Sequence, residues 1–242
     1  MKKVAILLII TCSFVFAQNT YVPDNNFEQA LIDLGYDTTL DDSVLTANIS
    51  GVTSLDVSSK EISDLTGIEA FTALTELVCS SNKLTGLDVS ANTALTHLYC
   101  GDNDLTSLDV SANTALTNLH FNQNQLTSMD LSKNTALTYL RCDVNQLTSL
   151  DVSNNTALIY LETHYNQLTY LNMRNGITDA LKIFNATSNS SLTCIETLDP
   201  DYATANWTSA KENIDAGVTF AYICGVEVDG VSTYNNNGIK AI

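Results

Sequence analysis

Along most of the chain the apolar residues return on two nested periods. Leu74, Leu95, Leu116, Leu137 and Leu158 stand 21 residues apart, with Val52 one slightly longer step before them and Leu181 one after. A fixed period of this size marks a solenoid of stacked coils, here about seven. Within a coil the pattern runs Leu-x-x-Leu-x-Cys-x-x-Asn-x-Leu-Thr-x-Leu-Asp-Val-Ser-x-Asn-Thr-Ala, unbroken from Leu95 through Leu98, Cys100, Asn103, Leu105, Leu108, Val110 and Asn113. Each unit is itself two near-copies, LTHLYCGDND and LTSLDVSANTA, whose apolar spacing alternates as it does in extended chain. The pattern predicts extended segments on both sides of every coil and no helix inside the repeats. One coil has too few apolar side chains to enclose and removes them from water only against its neighbours, so both ends need caps. Asn82, Asn103, Asn124, Asn145 and Asn166 recur where the chain must turn, and an inward amide there can satisfy backbone groups that the turn leaves unpaired.

The flanks break the period. VPDNNFEQALIDLG reads as a short amphipathic helix with Asp24 as N-cap, Phe27, Ala30, Leu31 and Leu34 on one face, and Gly35 as the stop. Beyond the repeats, Cys194, Cys224 and the only tryptophan, Trp207, mark a second cap. At the start, Lys2 and Lys3 precede apolar Val4 to Ile10, and the small residues Val15 and Ala17 stand before Gln18, the pattern of a signal peptide cleaved after Ala17. A lipidated Cys12 is the competing reading, which Thr11 and the apolar Phe14 to Phe16 fit poorly. The apolar run is shorter than the roughly 20 residues of a membrane span. These features divide the chain into a signal peptide (1–17), an N-terminal cap (18–51), repeats (52–192), a C-terminal cap (193–225) and a polar tail (226–242). Export to a secreted or cell-surface location is expected.

The repeats resemble leucine-rich repeats, specifically the short bacterial subclass with Leu-x-x-Leu-x-Cys-x-x-Asn segments found in Bacteroidota surface and secreted proteins. The resemblance runs from about Val22 to Cys224, and LDVSSKEISDLTGIEAFTALTEL is similar to the repeats of internalin-like proteins. Lys60 stands where the turn Asn is expected, and Phe121 and Thr163 stand at the Cys position. The fold expected is an α/β leucine-rich-repeat solenoid, dominated by β-strand and coil, with a short helical N-terminal cap. The resemblance implies a binding module, with adhesion to host or neighbouring cells as one role.

Charge narrows the partners. Against 27 acidic residues there are 10 basic ones, a formal charge of −17, and loss of Lys2 and Lys3 with the leader makes it two units more negative. Such a surface repels phosphate backbones and anionic lipid, so neither nucleic acid nor membrane insertion is expected. Export permits disulfides, and a Cys194–Cys224 bridge would clip the C-terminal cap. Cys79, Cys100 and Cys142 share a slot with Phe121 and read as small buried hydrophobes. Cys79 and Cys100 stack in adjacent coils, yet strand neighbours do not automatically have disulfide geometry.

Because the coils are internal copies, their differences show where the scaffold allows freedom. The second half-coil is monotonous, with Asp88, Asp109, Asp130 and Asp151 in one row and Ser90, Ser111, Ser132 and Ser153 two places on. Serine donors, or a divalent cation, are the two ways to offset repulsion along that row. The first half-coil varies. Strand geometry turns positions 3, 5 and 7 after each leading Leu outward, giving His97, Tyr99 and Gly101; Asn118, His120 and Asn122; Tyr139, Arg141 and Asp143; and Tyr160, Glu162 and His164. Tyrosine beside His and Arg supplies contact area and polar tips at modest entropic cost, against the bland reading that exposed strands simply favour such residues. The ligand-binding face is therefore expected at His97, Tyr99, Asn118, His120, Tyr139, Arg141, Tyr160, Glu162 and His164. A protein ligand is expected, with a glycan as the alternative, and the chain is expected to act as a monomer. No nucleophile, phosphate loop or His-rich metal motif accompanies the three histidines, so no enzyme activity, cofactor or metal site is expected. A structural stalk or spacer is the reading if the aromatic face is inert.

Overall fold

The computed structural model describes residues 17–225, so the leader and the polar tail lie outside the described residues. In chain order the elements are β1 (Asn19–Tyr21), α1 (Asn25–Asp33), β2 (Ser43–Leu45), α2 (Thr46–Ile49), β3 (Ser54–Asp56), β4 (Glu76–Val78), β5 (His97–Tyr99), β6 (Asn118–His120), β7 (Tyr139–Arg141), β8 (Ser149–Asp151), β9 (Tyr160–Glu162), β10 (Tyr170–Met173), β11 (Ile183–Asn185), β12 (Cys194–Thr197), α3 (Pro200–Asn206) and β13 (Thr219–Ala221). Seven of them form one parallel sheet in the order β11-β9-β7-β6-β5-β4-β3. Every step keeps the same register, so Leu77, Leu98, Leu119, Leu140 and Leu161 stand side by side. All five are fully buried, each removing roughly 1.5–3 kcal/mol of apolar surface from water. The threonine after each leading Leu extends the ladder: the hydroxyls of Thr96, Thr117 and Thr138 donate to the carbonyls of Thr75, Thr96 and Thr117 in the preceding coils.

The opposite side is less regular than the doubled pattern predicts. A four-stranded sheet, β13-β12-β10-β8, covers the C-terminal coils, while toward the N-terminus the same row shows one isolated bridge, Asp88 to Asp109. Asp109 faces like charges in Asp88 and Asp130, whereas Asp151 receives a hydrogen bond from the Asn172 amide at 3.1 Å and is followed by the Arg174–Glu196 pair at 3.3 Å. An eighth turn closes the C-terminal end: after β12 the chain passes through α3, the Ala186 amide donates to the Asn213 carbonyl on the first side, and β13 pairs with β12 on the other. Helix within the repeats is confined to a 3-10 turn at Ile68–Ala70.

Both ends are covered. The Asp24 carboxylate accepts from the amides of Asn26 and Phe27 to cap α1, and its other oxygen accepts from the Ser63 amide and hydroxyl, tying the cap to the first coil. Phe27, Ala30 and Leu31 are buried, with Phe27 against Phe71 at 6.4 Å. Leu34 is exposed instead, because α1 ends at Asp33 and Gly35 takes a left-handed φ of 81°. At the far end Trp207 packs on Phe184 and Phe220, and Cys194 and Cys224 are disulfide-bonded with Cα atoms 5.9 Å apart.

Two ladders of buried asparagine brace the coils. In the first, the Asn124 amide donates to the carbonyls of Cys100, Phe121 and Asn122, and its oxygen accepts from the Leu105 amide. Asn103, Asn145 and Asn166 repeat this arrangement, and Asn189 continues it beyond the regular period. The second ladder, Asn92, Asn113, Asn134 and Asn155, is fully buried and donates to the coil before it, as Asn113 does to the carbonyls of Val89 and Asn92. Its signal in the sequence is the Asn of every Asn-Thr-Ala, which the turn argument for the first ladder does not reach.

Candidate functional site

Strand alternation turns Leu inward and the residues on either side of it outward, and the common register aligns those side chains into two rows. One runs Glu76, His97, Asn118, Tyr139, Tyr160 and Ile183; the other runs Val78, Tyr99, His120, Arg141, Glu162 and Asn185. Eight of the nine residues expected on the binding face therefore lie in these rows, on β5, β6, β7 and β9. His164 lies two places beyond Glu162, past the strand.

The third outward position behaves differently. Gly101, Asn122 and Asp143 are buried, while Ser80 and His164 keep part of their surface. The chain is already turning inward there toward the ladder asparagine. Gly101 sits so close that a Cβ on it would fall 2.6 Å from Asn122 Oδ1, which explains the absence of a side chain at that step.

Stacking at the strand spacing brings the rings together. Tyr99 meets His120 edge-on with centroids 4.8 Å apart, and Tyr139 stacks on Tyr160 at 5.1 Å. Arg141 Nε lies 2.8 Å from Asp143 Oδ1 and 3.3 Å from Glu162 Oε2, and His164 Nε2 lies 3.8 Å from Asp143 Oδ2. Asp143 is 2% exposed and thus serves as a buried anchor under the Arg141 and His164 side chains. Its hydrogen bond holds the Arg141 guanidinium above its ordinary pKa. Burial, then the hydrogen bond to Glu162, pushes the Tyr160 hydroxyl up to about 12. Burial and the neighbouring Arg141 lower His120, so it is neutral at pH 7. The result is a face of rings, neutral hydroxyls and one prearranged cation on a fixed lattice.

His97 Nδ1 lies 2.9 Å from the Thr96 hydroxyl. The next coil places the Thr117 hydroxyl 3.0 Å from Asn118 Oδ1 in the same way, so the contact belongs to the threonine ladder rather than to an activated nucleophile. The three repeat cysteines are buried with free thiols, and burial pushes Cys100 and Cys142 up to about 12. The Asp row is met by serine: the amides of Ser90, Ser111, Ser132 and Ser153 donate to Asp88, Asp109, Asp130 and Asp151 at 2.8–2.9 Å. A depression of about 630 Å³, lined by Asp64, Glu69 and Asp88 among others, lies outside the aromatic rows. No helix among the described residues is long and apolar enough to cross a membrane.

Coil, register and buried Leu/Asn ladders define a leucine-rich-repeat solenoid. No family model matches the chain. Over 74 residues, 31% of this chain and 8% of the relative, the sequence is 44% identical to internalin J of Listeria monocytogenes. The functional domain of InlJ from Listeria monocytogenes, which includes a cysteine ladder, aligns with a TM-score of 0.60 at 30% identity, over 75% of this chain and 52% of that one. An internalin (inlF) from the same species aligns with a TM-score of 0.61 at 22% identity, over 73% and 56%. The chain is an internalin-like leucine-rich-repeat protein. It spans about half the length of these solved structures and a small part of internalin J. In this chain Phe121 and Thr163 interrupt the row of buried Cys79, Cys100 and Cys142.

Proposed function

We propose that this chain is an exported recognition module that binds a protein partner through the face formed by His97, Tyr99, Asn118, His120, Tyr139, Arg141, Tyr160, Glu162 and His164. The observation that carries the reading is the in-register cluster of Tyr99 on His120 and Tyr139 on Tyr160 beside an Arg141 already held by Asp143 and Glu162. Rings and a guanidinium fixed before contact lose little entropy on binding, which is how a small face gains affinity. The internalin-like fold supports a protein-interaction role on a surface or secreted protein. The role is binding rather than catalysis, performed by a monomer, and adhesion to a host or neighbouring cell is the form it takes.

The test is capture from a surface extract of co-resident cells, with residues 18–242 as bait and the Tyr99→Ser, Tyr139→Ser, Tyr160→Ser triple variant as control. Loss of one tyrosine anchor costs about 1–2 kcal/mol, so the triple variant is expected to lose capture outright. Protease treatment of the extract should abolish capture and periodate should leave it intact. Loss on periodate alone would indicate a glycan, and equal capture by both baits, or none, would leave a structural stalk.

A further inference from the structure

Glu28 stands in the first turn of α1 and is fully buried. A glutamate is almost never enclosed unless paired. One of its oxygens, Oε1, accepts from the amides of Asp41 and Ser43, both at 2.9 Å, and so holds the segment between α1 and β2. The other, Oε2, is buried with no donor, and Asp37 Oδ2 is in the same condition. Among the described residues, one group of three acidic or metal-ligating side chains brings its ligand atoms within 4.8 Å of one another, and it is Glu28, Asp37 and Asp41. None of the six ion pairs of the described residues reaches it.

The geometry points to a calcium site in the N-terminal cap, formed by the carboxylates of Glu28, Asp37 and Asp41. Three converging carboxylates repel one another, and two of them offer oxygens enclosed without a hydrogen, a condition that a divalent cation relieves. Calcium takes six to eight oxygens at about 2.3–2.6 Å, so oxygens on one ion lie up to roughly 5 Å apart, and it tolerates irregular arrangements. Magnesium demands near-octahedral ligands at about 2.0–2.1 Å and is slow to shed water, which suits one helix and one loop less well. The three ligands run from the buried Glu28 through the half-buried Asp37 to the exposed Asp41, which leaves an entry path and room for water in the remaining positions. Asp41 already accepts from the Ser43 and Thr39 hydroxyls, as the Asp row of the repeats accepts from serine; the difference lies in Glu28 and Asp37, each of which holds a buried oxygen without a donor, as no member of the row does. A bound ion would fasten α1 to the strand that follows, stiffening the cap on which the nearest-neighbour stack depends.

The experiment is calorimetric titration of the chelator-stripped full chain with calcium chloride and, separately, magnesium chloride, paired with thermal melts at constant ionic strength. Asp37→Asn and Asp41→Asn remove ligands near the surface, and the Asp88→Asn, Asp109→Asn pair is the control. One calcium is expected to bind with Kd on the order of 0.1–1 mM, as in extracellular modules. Tm should rise with calcium, each cap variant should weaken binding at least about tenfold, in line with the loss of a direct ligand, and the control pair should bind as the parent does. The assignment is overturned by absence of a calcium response up to about 10 mM, an order of magnitude beyond that range. It is equally overturned by unchanged affinity in Asp37→Asn, by loss in the control pair, or by tighter binding of magnesium.

Discussion

Replacing Asn124 by Ala removes one rung of the first asparagine ladder, and the bonds around it give the size of the effect. Three carbonyls lose a donor, but each keeps another: Cys100 retains the Asn103 amide, Phe121 the Asn145 amide, and Asn122 the backbone N–H of Asp102. The Leu105 N–H has no such reserve, since Asn124 Oδ1 at 2.9 Å is its acceptor and Leu105 is fully buried. An orphaned buried donor costs about 1–3 kcal/mol, and weakening the three shared bonds adds on the order of 1 kcal/mol. The total is about 3 kcal/mol, which for a chain of this length lowers Tm by roughly 6–12 °C. Asn124→Asp is the companion variant: it keeps an acceptor for Leu105 but sets a carboxylate against the carbonyls of Cys100 and Phe121, so it is expected to be at least as damaging. Urea and thermal unfolding measure the loss, and native-state hydrogen exchange at the Leu105 amide locates it. A cost below about 0.5 kcal/mol, the level of an ordinary surface change, or unaltered exchange at Leu105, would refute the ladder as a load on stability.

Val144 occupies a left-handed slot, φ 54°, that Ser81, Asp102, Gln123, Tyr165 and Ser188 fill elsewhere; a β-branched residue is strained there, so Val144→Asn should gain about 1 kcal/mol and a Tm rise of roughly 2–4 °C, and an unchanged or lower Tm would count against it. Hydrogen bonds from Ser90, Ser111 and Ser132 hold Asp88, Asp109 and Asp130 below their ordinary value of 3.8. Their stabilisation is complete above that value and lost as pH falls through the depressed ones, so melts between about pH 5 and about pH 2 should steepen in acid, and a triple Asp→Ser variant should flatten that slope. Cys79, Cys100 and Cys142, enclosed and with raised pKa, should resist iodoacetamide in the native chain and react in urea; mass spectrometry that finds native alkylation would contradict the packing.

Features repeated in every coil were legible before any coordinates. A 21-residue period makes residues 21 apart spatial neighbours, so Tyr139 beside Tyr160 and His97 beside Asn118 follow from counting, and the buried Leu and Cys slots follow from the same alignment. Each copy restates the constraint, and the nearest-neighbour physics of a solenoid leaves no other way to bury those side chains. The α1 helix was legible for a local reason, the Asp24 cap and the apolar face after it.

Tertiary structure decided whatever occurs once or depends on where the chain turns. Strand alternation assigned Asp143, Asn122 and Gly101 to the outer face, but the turn toward the ladder asparagine buries them, and with Asp143 comes the anchor that holds Arg141. The opposite side of each coil did not pair uniformly: β8, β10, β12 and β13 form a sheet over the C-terminal coils, while toward the N-terminus the row shows the isolated Asp88 to Asp109 bridge. Glu28, Asp37 and Asp41 share no period, and only the path of the segment after α1 brings their oxygens together. Periodic burial is written into sequence because it acts between neighbours of known spacing, whereas a single long-range contact exists only once the backbone has closed around it.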